Sequence, residues 1–265
     1  MARLDAELVA RGLARSRTQA AALVAGGRVL LDGAPAAKAS RPVAEGQRLE
    51  VLPAEGAEYV SRAGHKLAGA LDAFDDVVVR GRRCLDAGAS TGGFTQVLLL
   101  RGAASVAAVD VGHGQLVDEL RRDPRVDVRE GYNVRHLEAA DLGGPVDLVV
   151  ADLSFISLTL VMAPLAAATR PGGDLVLMVK PQFEVGRENL SRTGVVTDPG
   201  WRRRAVEAVI DSARSAGLAL RGLARSPLPG QDGNAEFFLR LRVPDPGGPP
   251  QPDAFPAVLD EVDYS

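Results

Sequence analysis

Two lysines and two carboxylates stand where chain elements begin or end. Lys66 opens a helical pattern in "GHKL", and Asp152 closes an apolar run in "VVADLSF". Lys180 closes another run in "LVLMVKPQF", and Glu236 begins "NAEFFLRL". Each has an ordinary reading: a solvated helix start, a helix cap, a residue exposed beyond its strand, an edge-strand charge. Brought to one rim they form a lysine–acid–lysine–acid set. Such a set suits transfer of a methyl group to a ribose hydroxyl. The alcohol is a poor nucleophile and must lose its proton as the methyl arrives. A lysine with a lowered pKa can take that proton, and a neighbouring cation can steady the developing alkoxide. The acids orient the lysines, and holding the hydroxyl in line with the methyl carbon supplies the proximity contribution.

The run "CLDAGASTGGFTQVLL" points to the other reactant. A strand-like segment enters a loop with three glycines, and an apolar helical pattern follows. Gly88, Gly92 and Gly93 do not match G-x-G-x-x-G, which weakens the fit to a pyrophosphate. Asp86, just before the turn, would repel a phosphate and suits a cationic amino-acid end. Asp110 ends the next strand, roughly twenty residues on, where an acid accepts ribose hydroxyls. A ligand with a ribose, an amino acid and no phosphate is S-adenosylmethionine. The plain alternative is a strand–turn–helix junction with glycines for close packing.

From Tyr59 onward strands and helices alternate. "RRCLDAG", "SVAAVDVG", "RVDVREG", "VDLVVADLS" and "GGDLVLMVK" read as strands, and "GFTQVLLLRG", "ISLTLVMAPLAAATR" and "WRRRAVEAVIDSARSAG" as helices. "YVSRAGHKLAGALDAF" reads as a short linker and an amphipathic helix with Leu67, Ala70, Leu71 and Phe74 on one side. The alternation predicts an α/β, doubly wound, mainly parallel sheet, in which ligands bind outside the carboxyl ends of the strands. Asp86, Asp110, Asp152 and Lys180 all fall at such ends. Cys84 and Phe155 are expected in the core.

The first fifty residues are organised differently. Two helical patterns, one ending at Gly12 and one running from near Thr18 to Gly26–Gly27, precede a strand "RVLLDGAPA" with a turn at Asp32–Gly33. "QRLEVL" returns as a strand, and the unit ends near Leu52, short for a core of its own. Through Arg41 there are seven Lys/Arg against three acids. The whole chain carries a formal net charge of −3, so any nucleic-acid surface is local. Arg15 and Arg17 open the second helix, where a helix N-terminus and guanidinium groups favour phosphate. With one cysteine among 265 residues no intrachain disulfide forms. Three scattered histidines and that cysteine make no metal-ligand cluster. The N-terminus lacks a signal-peptide core, and no run approaches the ~20 apolar residues of a membrane span. These features predict a cytoplasmic protein. The acidic, proline-rich tail is expected to be flexible.

"RLDAELVARGLARSRTQAAALVAGGRVLLDG" resembles the small RNA-binding domain first described in ribosomal protein S-four. "VSRAGHKL", "CLDAGASTGGFT", "VDVGHGQL", "ADLSFISL", "VKPQFE" and "PLPGQDGNAEFFL" together resemble the TlyA (haemolysin A) family of ribosomal RNA cytidine 2′-O-methyltransferases. The resemblance implies a Rossmann-like class I methyltransferase domain of FtsJ type with a seven-stranded sheet. It implies an RNA-binding domain over 1–58, a linker over 59–64, the methyltransferase over 65–242 and a tail over 243–265. Lys66, Asp152, Lys180 and Glu236 become the catalytic tetrad. Asp86, Gly88, Ser90, Gly92, Gly93, Phe94, Asp110, Gln115, Asn133 and Asp152 surround S-adenosylmethionine. Arg15, Arg17 and Arg28, with Arg3 and Arg62, become RNA-contact candidates. The implied partner is ribosomal RNA or a ribosomal subunit, with cytidines of 16S and 23S RNA as targets and a link to capreomycin-type antibiotic sensitivity. Neither a membrane nor a protein partner is indicated. The rival readings are a non-catalytic RNA-binding assembly factor and a membrane-active haemolysin. Base methylation is disfavoured because "DLSF" is unlike the Asn-Pro-Pro-Tyr motif that positions an exocyclic amine.

Overall fold

The structure, a computed structural model, describes residues 2–14, 16–25, 27–44, 46–52, 59–247 and 257–265. The RNA-contact candidate Arg15 lies outside the described residues. The chain divides into two compact units, Met1–Glu58 and Tyr59–Ser265.

The first unit runs β1 (Ala2–Arg3), α1 (Leu4–Ala10), α2 (Arg17–Ala25), β2 (Val29–Leu31), β3 (Ala34–Pro35), β4 (Pro42–Val43) and β5 (Leu49–Val51). The β2–β3 hairpin turns on Asp32 at φ 52° and Gly33 at φ 81°. A tight two-residue hairpin turn requires this pair of positive φ values. The Asp32 carboxylate then accepts the Arg48 amide at 2.8 Å and the Gln47 side chain at 2.7 Å, which ties β5 back to β2. Contrary to the expectation from length, the unit has its own core. Leu4 and Leu8 from α1 and Leu23 from α2 pack on Val29 and Leu31.

The second unit begins with α3 (Arg62–Ala73), β6 (Arg83–Ala87), α4 (Gly93–Leu100), β7 (Ser105–Val109), α5 (Asp118–Arg121), β8 (Val126–Arg129) and β9 (Val146–Ala151). It continues through α6 (Met162–Ala168), β10 (Thr169–Val179), α7 (Pro181–Glu184), α8 (Pro199–Ser215), β11 (Ala219–Arg225), β12 (Phe237–Arg242) and α9 (Ala257–Glu261). Seven strands form one sheet in the order β11-β12-β10-β9-β6-β7-β8. The pairings from β10 to β8 are parallel, and β12 runs antiparallel between β10 and β11. Both faces are covered, so the strands read as nearly continuous apolar runs. Leu85, Val149 and Leu177 face α6 and α8, while Cys84, Leu148 and Val150 face α3 and α4. Register fixes the working edge. Ala87 lies opposite both Val109 and Ala151, and Val179 lies opposite Phe237. Gly88, Asp110, Asp152, Lys180 and Glu236 therefore leave the sheet on the same side.

Two expectations about boundaries are corrected. Residues 59–64 do not act as a linker: Tyr59 and Val60 pack on the core of the second unit, and α3 already starts at Arg62. The Val60 amide donates to Gln96 Oε1 at 2.7 Å, and the Tyr59 ring meets His65 edge-on at 4.8 Å. The tail is not flexible throughout. Residues 257–265 return to the core, with Leu259 buried and the Tyr264 ring 5.2 Å from that of Phe237. Arg203 pairs with Asp260 at 2.8 Å and Arg225 with Asp263 at 2.5 Å. The proline-rich composition ahead of it masked the apolar spacing of Val258, Leu259 and Val262.

The Tyr264 hydroxyl is buried without a protein partner. Removing that oxygen alone sacrifices no hydrogen bond, whereas removing the ring leaves a cavity beside Phe237. Thermal or denaturant unfolding is expected to show Tyr264→Ala destabilised by about 2–4 kcal/mol. Tyr264→Phe should lie within about 1 kcal/mol of the parent or above it.

Candidate active site

Three strand ends and helix α3 bring the four expected tetrad residues together in two tight pairs. Lys66, from the first turns of α3, donates to Glu236 Oε2 at 2.6 Å, and both side chains are buried. Lys180, the residue after β10, lies 2.6 Å from Asp152 Oδ1. That contact is an ion pair by distance, while the aligned hydrogen bond of Lys180 Nζ goes to Ser154 Oγ at 2.8 Å. Glu236 directly precedes β12 and Lys180 directly follows β10, and these strands pair antiparallel, so the two residues are neighbours along the rim. Desolvating two ion pairs is costly unless the geometry is good, so their retention here points to use rather than to stability.

Beside Asp152 opens a pocket of about 500 Å³, within the usual range for a small-molecule ligand, roughly 300–1,000 Å³. Gly88, Ser90, Asp110, Gln115, Asn133 and Asp152 line it. Among its described lining residues are two carboxylates and no lysine or arginine. Such a wall disfavours phosphate and suits a ligand with hydroxyls and positive charge. Asp110 accepts the Ser90 amide at 2.8 Å and the Gly112 amide at 2.7 Å. Two of the roughly four acceptor sites of the carboxylate remain for ribose hydroxyls. Ser90, held at φ 46°, also donates its hydroxyl to Gln115 Oε1 at 3.0 Å. Asn133 caps the following turn by accepting the Arg135 amide at 3.0 Å. At Gly88 a Cβ would lie 2.6 Å from the Asp152 carbonyl oxygen, so only glycine lets these two strand ends close up.

Four expected donor residues do not line the pocket. Phe94 is a core residue, 2% exposed, stacked on Phe238. Gly93 starts α4 against Ser61, and Gly92 caps it at φ 98° over Leu116 and Leu120. Asp86 is wholly buried, accepts the Thr95 hydroxyl at 2.6 Å through Oδ2, and leaves Oδ1 without a partner. Burial pushes its carboxyl up to about 7, the Thr95 hydrogen bond opposes this, and the charges of Asp152 and Asp110 add to it. Among the described residues Oδ1 is thus a buried acceptor without a partner. Sequence reading missed Tyr132, Leu153 and Ser154 as lining residues. It also misplaced Phe155, which is 92% exposed at the pocket rather than in the core, with φ at 63°.

The arginine candidates fare unequally. Arg3 and Arg17 both grip Asp5, at 3.1 and 3.0 Å, and remain more than half exposed. They hold the Asp5 carboxyl well below its usual range, Arg3 most strongly, while burial opposes them. Arg28 instead turns onto the Leu52 carbonyl at 2.8 Å, closing the end of β5. Arg62 reaches the Pro229 carbonyl at 3.5 Å.

Sheet order and ligand edge together define a methyltransferase fold. A methyltransferase from Listeria monocytogenes, only 16% identical, shares it with a TM-score of 0.51 over 68% of this chain and 100% of that one. The chain belongs to the FtsJ-like methyltransferase family, whose model matches residues 59–243, with an S4 domain matching residues 2–49. It is 55% identical over 242 residues to the 16S/23S rRNA (cytidine-2′-O)-methyltransferase TlyA of Mycobacterium tuberculosis, covering 91% of this chain and 90% of that protein. It is 34% identical to Hemolysin A of Brachyspira hyodysenteriae, over 91% of this chain and all of that one. A solved chain from Streptococcus thermophilus that carries the name hemolysin superposes with a TM-score of 0.76 at 39% identity, covering 97% and 93% of the two chains.

Asp86 makes stability pH-dependent in a definite direction. An unfolded aspartate titrates near 3.8, the folded one near 7. Below the lower value both states are protonated. Between the two, the folded chain keeps a proton the unfolded chain has lost, so rising pH weakens the fold, and the loss is complete above about 7. Asp86→Asn has no such proton. Its unfolding free energy relative to the parent should rise from pH 5 to pH 7, by at most about 1.4 kcal/mol per pH unit. Denaturant titrations at pH 5 and 8 check this, and parallel curves would contradict it.

Proposed function

We propose that this chain transfers a methyl group from S-adenosylmethionine to the 2′-hydroxyl of cytidine ribose in ribosomal RNA, in both 16S and 23S species. The observation that carries the reading is the pair of lysine–carboxylate contacts at 2.6 Å on the rim that also borders the carboxylate-lined pocket. The 55% identity to a TlyA rRNA methyltransferase supports the substrate class. S-adenosylmethionine, when bound, supplies an electrophilic methyl carbon on a sulfonium. Asp110 and Gln115 are suited to its ribose, and the free Oδ1 of Asp86 to its ammonium end. The hydroxyl proton passes to the Asp152 carboxylate of the Lys180–Asp152 pair, leaving the 2′-oxygen to take the methyl group that a bound donor would supply. Lys180, steered by Asp152 and Ser154, stabilises negative charge growing on that oxygen. The Lys66–Glu236 pair adds a second cation beside it. Phe155 offers an exposed ring on which a base can stack. Arg3 and Arg17 of the S4 domain supply phosphate contacts. Among the described residues no helix is long and apolar enough to cross a membrane.

Purified protein incubated with labelled S-adenosylmethionine and ribosomal subunits is expected to label RNA, with mass spectrometry placing the methyl on cytidine ribose. Lys180→Ala should lower turnover by about a hundredfold or more and leave donor affinity within about half a kcal/mol. Near-normal turnover of that variant refutes the proposed chemistry. An unmodified RNA with tight RNA binding by the parent would leave the assembly-factor reading instead.

Arg17→Ala should reduce the magnitude of the log–log salt slope of RNA binding by about 0.7–0.9. It also strips one partner from Asp5, so the same variant should melt lower. Donor binding, measured by calorimetry, should not change.

A further inference from the structure

The loops that follow β9 and β10 are fastened together residue by residue. Lys180 Nζ donates to Ser154 Oγ at 2.8 Å. The Phe183 ring lies 5.3 Å from that of Phe155. Glu184 accepts the Ser157 hydroxyl at 2.5 Å and the Leu158 amide at 2.9 Å. Positions 180, 183 and 184 thus engage positions 154, 155 and 157–158 in the same order along the chain. The first fastening belongs to the tetrad. The last, through Glu184, belongs to nothing described so far.

What Glu184 holds is the point where the loop passes from exposed chain into the core, since Leu158 is buried. Phe155 is 92% exposed, and its φ of 63° is uncommon for a bulky non-glycine residue and persists only when neighbours over-determine it. Residues Leu153 to Ile156 line the pocket. Glu184 itself is half-buried, and burial raises its carboxyl pKa against the two hydrogen bonds. Its two hydrogen bonds fix the loop between the exposed Phe155 and the buried Leu158.

We propose that Glu184 is a positioning residue for methyl transfer, clamping the loop 153–158 so that Ser154 meets Lys180 and Phe155 presents its ring beside the pocket. The inference rests on the methyltransferase reading above. The clamp acts on the orientation of the acceptor nucleotide, so its loss falls on turnover rather than on capture of RNA or donor.

The test compares the parent with Glu184→Leu, which fills the space without acceptors, and Glu184→Gln, which keeps an acceptor for the Leu158 amide. Amide hydrogen exchange over residues 153–158 is measured alongside kcat, the KM for ribosomal RNA and calorimetric donor affinity. Glu184→Leu should exchange faster over that loop and lose about ten- to a hundredfold in kcat, with KM and donor affinity within about threefold of the parent. Glu184→Gln should lose less in both readouts. Ser157→Ala, which removes one of the two contacts, serves if the leucine variant does not fold, and should show the same split at smaller size. A leucine variant with parental kcat overturns the proposal. So does a parallel fall in stability, RNA capture and donor affinity, which marks a general structural role. Absence of methylation by the parent itself would strike the methyltransferase reading, while the exchange measurement would still report on the clamp.

Discussion

Charges that end neighbouring strands must be compensated, because adjacent strands stand only about 4.8 Å apart. Along this rim Asp110, Asp86, Asp152 and Glu236 end or begin strands β7, β6, β9 and β12, with Lys180 between the last two. Three of the four acids are answered by the protein. Asp110 has two backbone amides, Asp152 has Lys180, and Glu236 has Lys66. Asp86 is held by Thr95, and its Oδ1 has no hydrogen-bond partner among the described residues. Asp86 is compensated through its own protonation rather than by a cation, since burial pushes its carboxyl up to about 7.

That burial opposes stability. A buried acid driven up to about 7 weakens the fold at neutral pH, and two desolvated ion pairs beside it add cost. The continuous apolar strands on both faces of the sheet offset the loss. Close-packed Phe237, Phe238, Leu175 and Leu177 stand immediately behind the rim, and the C-terminal residues seal Phe237 from the other side. The strands therefore end in the charged groups, and Ser154 and Phe155 sit on the short loop just beyond β9.

Much of this was legible in the sequence because strand ends are legible. Apolar runs closed by Asp110, Asp152 and Lys180 fix both the sheet and its working edge, and the basic helix pair with its Asp32–Gly33 turn fixes the first module. Spacing does not reveal which way a residue near a turn points. Phe94 and Asp86 are close in sequence to the donor loop, yet α4 carries the first into the core and β6 ends with the second facing inward. Phe155 fails for a different reason. Its apolar character predicts burial, while a left-handed backbone, invisible in a non-glycine residue, turns the ring out to water. The linker and tail were misread from composition, which averages over residues such as Tyr59 and Tyr264 that individually reach the core.

The first module obeys the same electrostatic logic with opposite sign. Asp5 is 5% exposed and sits between Arg3 and Arg17, which are 54% and 62% exposed at their side chains. One buried acid thus fixes two exposed cations side by side and restricts their rotamers. It also neutralises part of their charge, so the gain is in arrangement more than in field strength. A protein with a net charge of −3 needs such local arrangement to attract RNA at all. On the rim one buried acid, Asp86, keeps an oxygen without a partner among the described residues, and in the S4 domain one buried acid, Asp5, holds two exposed cations.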